Sequence, residues 1–334
     1  MRRCGYLPLS PSSASSVVVV LIAARWWGAA AAALAGVAFL VNPVILGIAV
    51  LARSYMLSVL AVALAVLALD VAVRTVTRTG VRAWAPWLAY GLASVVAVLL
   101  QPFAALSIGA TIVLAIGRRR EIPRWSLATL PAALATVALL ARARDQSAQV
   151  SWIGEVTPRS VVEGVALASG IAVDRGLRYD LLGLGLVAAM TIMAFLISST
   201  EHRRALGAAS ALAFGPPAVL YAVSVLLTPV LTARYLSWVA IGVALLLGGA
   251  AHATRHRAAA VVTGAPAALL IVPIAITAQR SLTPPPRPDN FPETVAQIQA
   301  AARPGDALIV VQQYEAGGVA FRNGHGRRGR VLPP

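Results

Sequence analysis

Two places in the chain set an arginine and a tyrosine between long apolar runs. One is Arg53-Ser54-Tyr55 within FLVNPVILGIAVLARSYMLSVLAV, from Phe39 to Val62; the other is Arg234-Tyr235, after Thr228-Pro229-Val230-Leu231. A guanidinium matches phosphate oxygens with two parallel hydrogen bonds, so Arg53 and Arg234 are candidate phosphate ligands, with Tyr55 and Tyr235 beside them. The plainer reading of each pair is an interfacial anchor, an arginine that snorkels to lipid headgroups next to an aromatic-belt residue. A third stretch, QSAQVSWI from Gln146 to Ile153, combines the amides of Gln146 and Gln149 with the indole of Trp152. Amides bind sugar hydroxyls and an indole stacks on the C–H face of a sugar ring; the alternative is an amphipathic segment with Trp152 at headgroup depth. Gln101, in the Leu100-Gln101-Pro102 turn, is a further polar candidate. Asp145, Glu155 and Glu163 are the acids near the Gln146 stretch and the candidates for a general base toward a hydroxyl acceptor.

The elements that must position these groups are membrane spans. The chain of 334 residues is 59% hydrophobic and 12% charged, with a mean hydropathy of +0.79, whereas soluble domains carry about 25% charged residues. Apolar segments run from Gly28 to Ala52, Tyr55 to Val73, Trp84 to Leu100, Phe103 to Gly117, Trp125 to Ala141, Leu181 to Ser198, Leu206 to Leu227, Tyr235 to Ala251 and Ala258 to Ala278. Ahead of them Val17 to Ala24 reads as an N-terminal stub, too short for the roughly 20 residues that a lipid-exposed crossing requires. The predicted fold is thus an all-α polytopic membrane protein of about nine transmembrane or re-entrant helices plus the stub. Several segments are short, which predicts tilted or re-entrant helices buried among their neighbours.

The net charge of +16 comes entirely from arginine, since the chain has no lysine. Its distribution points to topology rather than to nucleic acid. Alternating the connections puts Arg25, then Arg74, Arg78 and Arg82, then Arg118, Arg119, Arg120 and Arg124, then Arg203 and Arg204, then Arg255 and Arg257 on one side. The positive-inside rule makes that side cytoplasmic, with only Glu121 and Glu201 as acids in these loops. Arg53, the Gln101 turn, the loop from Arg142 to Asp180, the connection to Arg234 and everything after Gln279 fall on the outer side. The candidate polar groups therefore share one face of the membrane, including Asp174, Arg175, Arg178, Tyr179 and Asp180.

Residues 1–280 form the predicted membrane domain. Residues 281–334 begin with a Pro-rich linker and continue as a helical stretch from Asn290 to Arg303, the turn Pro304-Gly305-Asp306, an apolar strand from Ala307 to Val311 and a Gly/Arg-rich tail. That pattern reads as a small extracytoplasmic α/β piece. Cys4 is the only cysteine, which excludes an internal disulfide and a paired-cysteine metal or redox centre. The histidines His202, His252 and His256 read as topology-loop residues, no ligand spacing for a metal is evident, and no cofactor is implied by the residues. Gly183 and Gly185 in LLGLGL lie inside a span, where small residues serve helix packing.

Four places together resemble polytopic glycosyltransferases of the GT-C type, family 39 and its bacterial mannosyltransferase-like relatives. They are Arg25-Trp26-Trp27-Gly28 with the span through Asn42-Pro43 to Arg53-Ser54-Tyr55, the Gln146 to Ile153 stretch, Thr232-Ala233-Arg234-Tyr235-Leu236, and the Pro304-Gly305-Asp306 turn. The resemblance implies transfer of a sugar from a polyprenyl phosphate to an acceptor on the outer face of a bacterial plasma membrane. It implies that Arg53 and Arg234 hold the lipid phosphate as leaving group and that the long outer loop contacts sugar or acceptor; a divalent metal is compatible with the complete family enzyme. The family's catalytic acids belong to a first outer loop, but no Asp or Glu precedes Asp70 here, and Gln101 stands where relatives often carry histidine. The chain thus reads as a shortened or degenerate copy, and the reading from another class is a transporter or anionic-lipid-binding membrane protein without catalysis.

Overall fold

The computed structural model describes residues 11–49, 54–75, 81–144, 156–170, 177–227 and 229–253. Their regular elements are helices: α1 (Pro11–Trp27), α2 (Ala29–Leu40), α3 (Pro43–Ala49), α4 (Tyr55–Arg74), α5 (Val81–Leu100), α6 (Ala104–Ala110), α7 (Ile112–Ile116), α8 (Ile122–Arg144), α9 (Pro158–Ala168), α10 (Leu177–Ile197), α11 (Thr200–Leu226) and α12 (Val239–Ala253). Short 3-10 turns at Arg119–Glu121 and Ala233–Leu236 precede α8 and α12. Among the described residues five helices are long and apolar enough to cross a membrane, or six if the bent pair α2 and α3 is one span. Large apolar side chains face outward, Leu88 70% and Leu182 68% exposed. An apolar exterior of this kind suits hydrocarbon rather than water.

The expected N-terminal stub is longer than its apolar core. Helix α1 starts at Pro11 and takes in the serine-rich stretch, where Ser15 donates from Oγ to the Pro11 carbonyl (2.7 Å) and Ser15 and Ser16 are buried. Back-bonding of this sort lets serine enter an apolar helix. The Gly28 to Ala52 segment, expected as one span, is instead broken by a 57° bend between α2 and α3. Its cause is local. Pro43 cannot continue the hydrogen-bond ladder of α2, and Asn42 Oδ1 accepts from the backbone N–H groups of Val44 (2.9 Å) and Ile45 (3.3 Å), which starts a new helix. The Phe103 to Gly117 segment breaks likewise at Thr111, whose N–H and Oγ1 both turn back to the Ile108 carbonyl.

Helix α12 is the centre of the bundle. Every residue from Val239 to Ala250 is buried, so a helix of 15 residues, about 22 Å long at 1.5 Å per residue, needs no direct match to the hydrocarbon thickness. Glycines bring its neighbours close: a Cβ on Gly242 would stand 2.4 Å from the Ala213 nitrogen of α11, and one on Gly248 would stand 2.7 Å from the Ala31 oxygen of α2. Trp238 donates from Nε1 to Ser58 Oγ (3.2 Å), and Ser58 donates to the Ala97 carbonyl (3.1 Å), tying α12 to α4 and α5. A buried hydroxyl network of Tyr90, Thr111 and Thr129 joins α5, the α6–α7 break and α8. Gly185 departs from the packing expectation, since a Cβ there would meet nothing within 4 Å.

Among the described residues the helix ends fall into two groups, and the members of the two predicted sets of connections that are described divide between them accordingly. Arg25, Arg74, Arg118 and Arg204 meet at one end; Ser54, Gln101 and Tyr235 lie at the other. The fold therefore has an arginine-rich end and a Gln101 end. Ala258 to Ala278 and residues 281–334, with the expected strand and Pro304-Gly305-Asp306 turn, lie outside the described residues.

Removing the cap at the α2–α3 bend gives a first test. Asn42→Ala leaves the Val44 and Ile45 N–H groups without their acceptor and is expected to cost about 1 kcal/mol, the usual loss for a helix cap. The check is the thermal unfolding midpoint of the purified protein in detergent.

Candidate functional site at the Gln101 end

Three backbone breaks assemble this end. Ser54, just before α4, donates from Oγ to the Leu100 carbonyl (2.9 Å), which seats the start of α4 on the end of α5. Gln101 and Pro102 then turn the chain into α6, with the Ala104 N–H bonded to the Gln101 carbonyl. Phe103, on that turn, lies against Tyr235 with ring centroids 5.0 Å apart and planes inclined by 35°. The aromatic pair joins the Gln101 turn to the Ala233–Leu236 turn.

A fourth element closes the cluster. Helix α9 sits inside the long connection expected as a loop and packs against the Ala233–Leu236 turn and α3. Its start is fixed by a capping box, Ser160 N–H to Thr157 Oγ1 (3.1 Å) and Thr157 N–H to Ser160 Oγ (2.9 Å), with Pro158 at the first helical position. Its end is fixed by Gly170, at φ 74, where a Cβ would come within 2.5 Å of Asn42 Nδ2. The residue that caps α3 is thus also the contact that demands glycine after α9.

Within this frame Tyr55 and Gln101 are each buried to 9% exposure, and Asn42 to 3%. The hydroxyls Thr232 Oγ1 and Ser237 Oγ, on either side of the turn that carries Arg234 and Tyr235, are buried without a hydrogen-bond partner. Such orphaned groups are costly in a protein interior and are the kind of atom a bound polar ligand satisfies. Asp180, in the first turn of α10, is the buried acid of this end among the described residues, at 5% exposure. Glu163 is engaged elsewhere, accepting from Arg159 Nε at 2.7 Å on α9, an ion pair that raises the Arg159 pKa.

Of the sequence candidates, the structure brings Tyr55, Gln101 and Tyr235 to one end, and the backbone of Arg234 lies in the same turn as Tyr235. Arg53 and the whole group Asp145, Gln146, Gln149, Trp152 and Glu155 lie outside the described residues. Phe103, Trp238 and the orphaned hydroxyls carry no sequence signal that separates them from ordinary span residues. Asp180 does, as an acid at a span start. No family model, curated protein or solved structure matches the chain. The chemistry of this end therefore rests on its own residues.

At the arginine-rich end the fold adds contacts that the sequence does not show. Asp70, near the end of α4, is 4% exposed and accepts from Arg25 Nε (2.8 Å), Arg74 Nε (2.8 Å) and Trp26 Nε1 (2.9 Å). Arg25 is thus a structural ion-pair partner besides being a topology charge. His202 and His252 are not simple loop residues either, because their rings pack edgewise at 4.5 Å and link α11 to α12. Glu121, a loop acid by sequence, is 2% exposed and paired with Arg124 at 3.0 Å.

Proposed function

We propose that the protein is a polytopic membrane glycosyltransferase of the GT-C type, moving a mannose-like sugar from a polyprenyl-phosphate donor to an acceptor at the extracytoplasmic face. The observation that carries this reading is the convergence of Ser54-Tyr55, the Gln101 turn and the Thr232 to Tyr235 turn at one end of the bundle. These are three of the elements on which the resemblance rests or to which it assigns a role, and nothing in their sequence separation requires them to meet.

In this reading Arg53 and Arg234 bind the donor phosphate, with Tyr55 and Tyr235 as flanking aromatics. An acceptor oxygen attacks the anomeric carbon, the bond from that carbon to the phosphate oxygen breaks, and the electron pair leaves with the phosphate. Guanidinium groups stabilise the charge that develops there. The acceptor proton passes to a carboxylate, for which Asp145, Glu155 and now Asp180 are the candidates. Gln101, Gln146, Gln149 and Trp152 contact sugar or acceptor.

The test is Arg53→Ala and Arg234→Ala in the full chain, reconstituted in liposomes with radiolabelled polyprenyl-phosphate mannose. Each substitution is expected to lower transfer by about 100-fold, the loss typical of one preorganised donor to developing charge. Unchanged turnover with normal membrane insertion returns both residues to the anchor class. Retained donor binding without any transfer by the unsubstituted protein favours an anionic-lipid-binding protein.

A further inference from the structure

The arginine-rich end holds a cleft that the transfer reading does not use. It lies between α4, α7 and α11, has a cavity of about 70 Å³, and is lined by Asp70, Arg74, Gly117, Arg118, Glu201 and Arg204 among others. A water needs roughly 10–15 Å³ of such space, so the cleft has room for a group of several heavy atoms.

Its charges do not cancel. Asp70 is already saturated by Arg25, Arg74 and Trp26. Glu201, with its side chain 76% exposed, reaches Arg74 Nη1 only at 3.6 Å. Arg118 donates from Nη1 to the Val73 carbonyl and has no carboxylate partner among the described residues. Arg204 has neither ion pair nor hydrogen bond among the described residues, in contrast to its neighbour Arg203, which donates to the carbonyls of Phe195 (2.8 Å) and Leu196 (3.2 Å). Arg25, Arg74, Arg118 and Arg204 against Asp70 and Glu201 leave two positive charges in excess around one cleft.

The position of Arg204 is itself unfavourable. It lies near the N-terminus of α11, where the helix dipole favours anions over cations. It lies across Gly117, where a Cβ would stand 3.1 Å from both its Cδ and its Nε. Glycine at that point is what lets the guanidinium lie across the end of α7. We propose that this cleft is a binding site for a phosphate group, held by Arg118 and Arg204, supplied by a phospholipid headgroup or by a soluble phosphate. Forked guanidinium donors at the end of a helical bundle suit a phosphate oxyanion.

The experiment uses the full-length protein in dodecyl maltoside micelles, which carry no phosphate, and reads its thermal midpoint by tryptophan fluorescence. One arm adds phosphatidylglycerol to the micelles; the other adds inorganic phosphate or pyrophosphate to the buffer at constant ionic strength. Either ligand raising the midpoint supports the site, and the arm that responds identifies the source. Arg204→Gln is expected to weaken the apparent affinity about tenfold, the loss of one charge-assisted hydrogen bond. Gly117→Val, which displaces the Arg204 side chain without removing it, is expected to do the same, and Arg119→Gln to leave affinity unchanged. If Arg204→Gln does not fold, the Gly117→Val and Arg119→Gln pair decides. A midpoint that neither ligand raises, or that rises equally in the unsubstituted protein and the cleft variants, overturns the proposal. The donor-transfer assay is read separately and at the opposite end, so its failure leaves this result intact.

Discussion

Asp70→Ala lowers the thermal stability of the protein by about 3 kcal/mol, the low end of what breaking a buried ion pair costs. The low end applies because Arg25 and Arg74 have side chains 40% and 36% exposed, so solvent screens part of their charge. The loss comes from three donors rather than one. Arg25 Nε and Trp26 Nε1 bring α1 to the carboxylate, and Arg74 Nε brings the end of α4 itself, so removing Asp70 frees two helices from one another. Asp70→Asn retains an acceptor for Trp26 and is expected to cost less. Thermal unfolding followed by tryptophan fluorescence in detergent checks both, and an Asp70→Ala midpoint equal to that of the unsubstituted protein contradicts the account of this cluster.

Gly242→Leu is the second large effect. The Cβ alone would meet the backbone of α11, at 2.4 Å from the Ala213 nitrogen and 2.8 Å from the Ala209 oxygen, and a backbone cannot step aside as a side chain can. Helices α11 and α12 must separate, at about 3 kcal/mol for overpacking a close helix contact. Gly185→Ala is the matched comparison. It meets nothing within 4 Å, and alanine is favoured over glycine in a helix by about 1 kcal/mol, so that variant is expected to be neutral or more stable. The pair separates close packing from a general intolerance of larger residues in spans.

How much of this was legible in the sequence follows from which interactions are local. The division into two ends was legible, because each arginine cluster sits in its own short connection and the alternation carries through the chain. The shortness of the Tyr235 to Ala251 segment signalled a helix buried among its neighbours, as α12 is, whereas the equally short α6–α7 pair is only partly buried, with Ile116 52% exposed. The break at Asn42-Pro43 was written in the residues, a capping side chain before a proline, yet the apolar run on both sides masked it. What could not be read were contacts between distant residues. The Asp70 to Arg25 pair spans 45 positions and the Trp238 to Ser58 bond spans 180, and no periodicity encodes either. The same limit applied to the candidate site: arginine–tyrosine pairs could be seen, whereas the Phe103–Tyr235 contact and the seat of Ser54 on Leu100 depend on how the spans pack.

The central claim, that the Gln101 end is a site of sugar transfer from a lipid phosphate, is tested most directly by the purified full-length protein in liposomes with radiolabelled polyprenyl-phosphate mannose and a membrane-extract acceptor fraction. The account predicts release of polyprenyl phosphate with label appearing in the acceptor fraction, both lost in the Arg53→Ala/Arg234→Ala double variant. Intact donor recovered from the unsubstituted protein would contradict it.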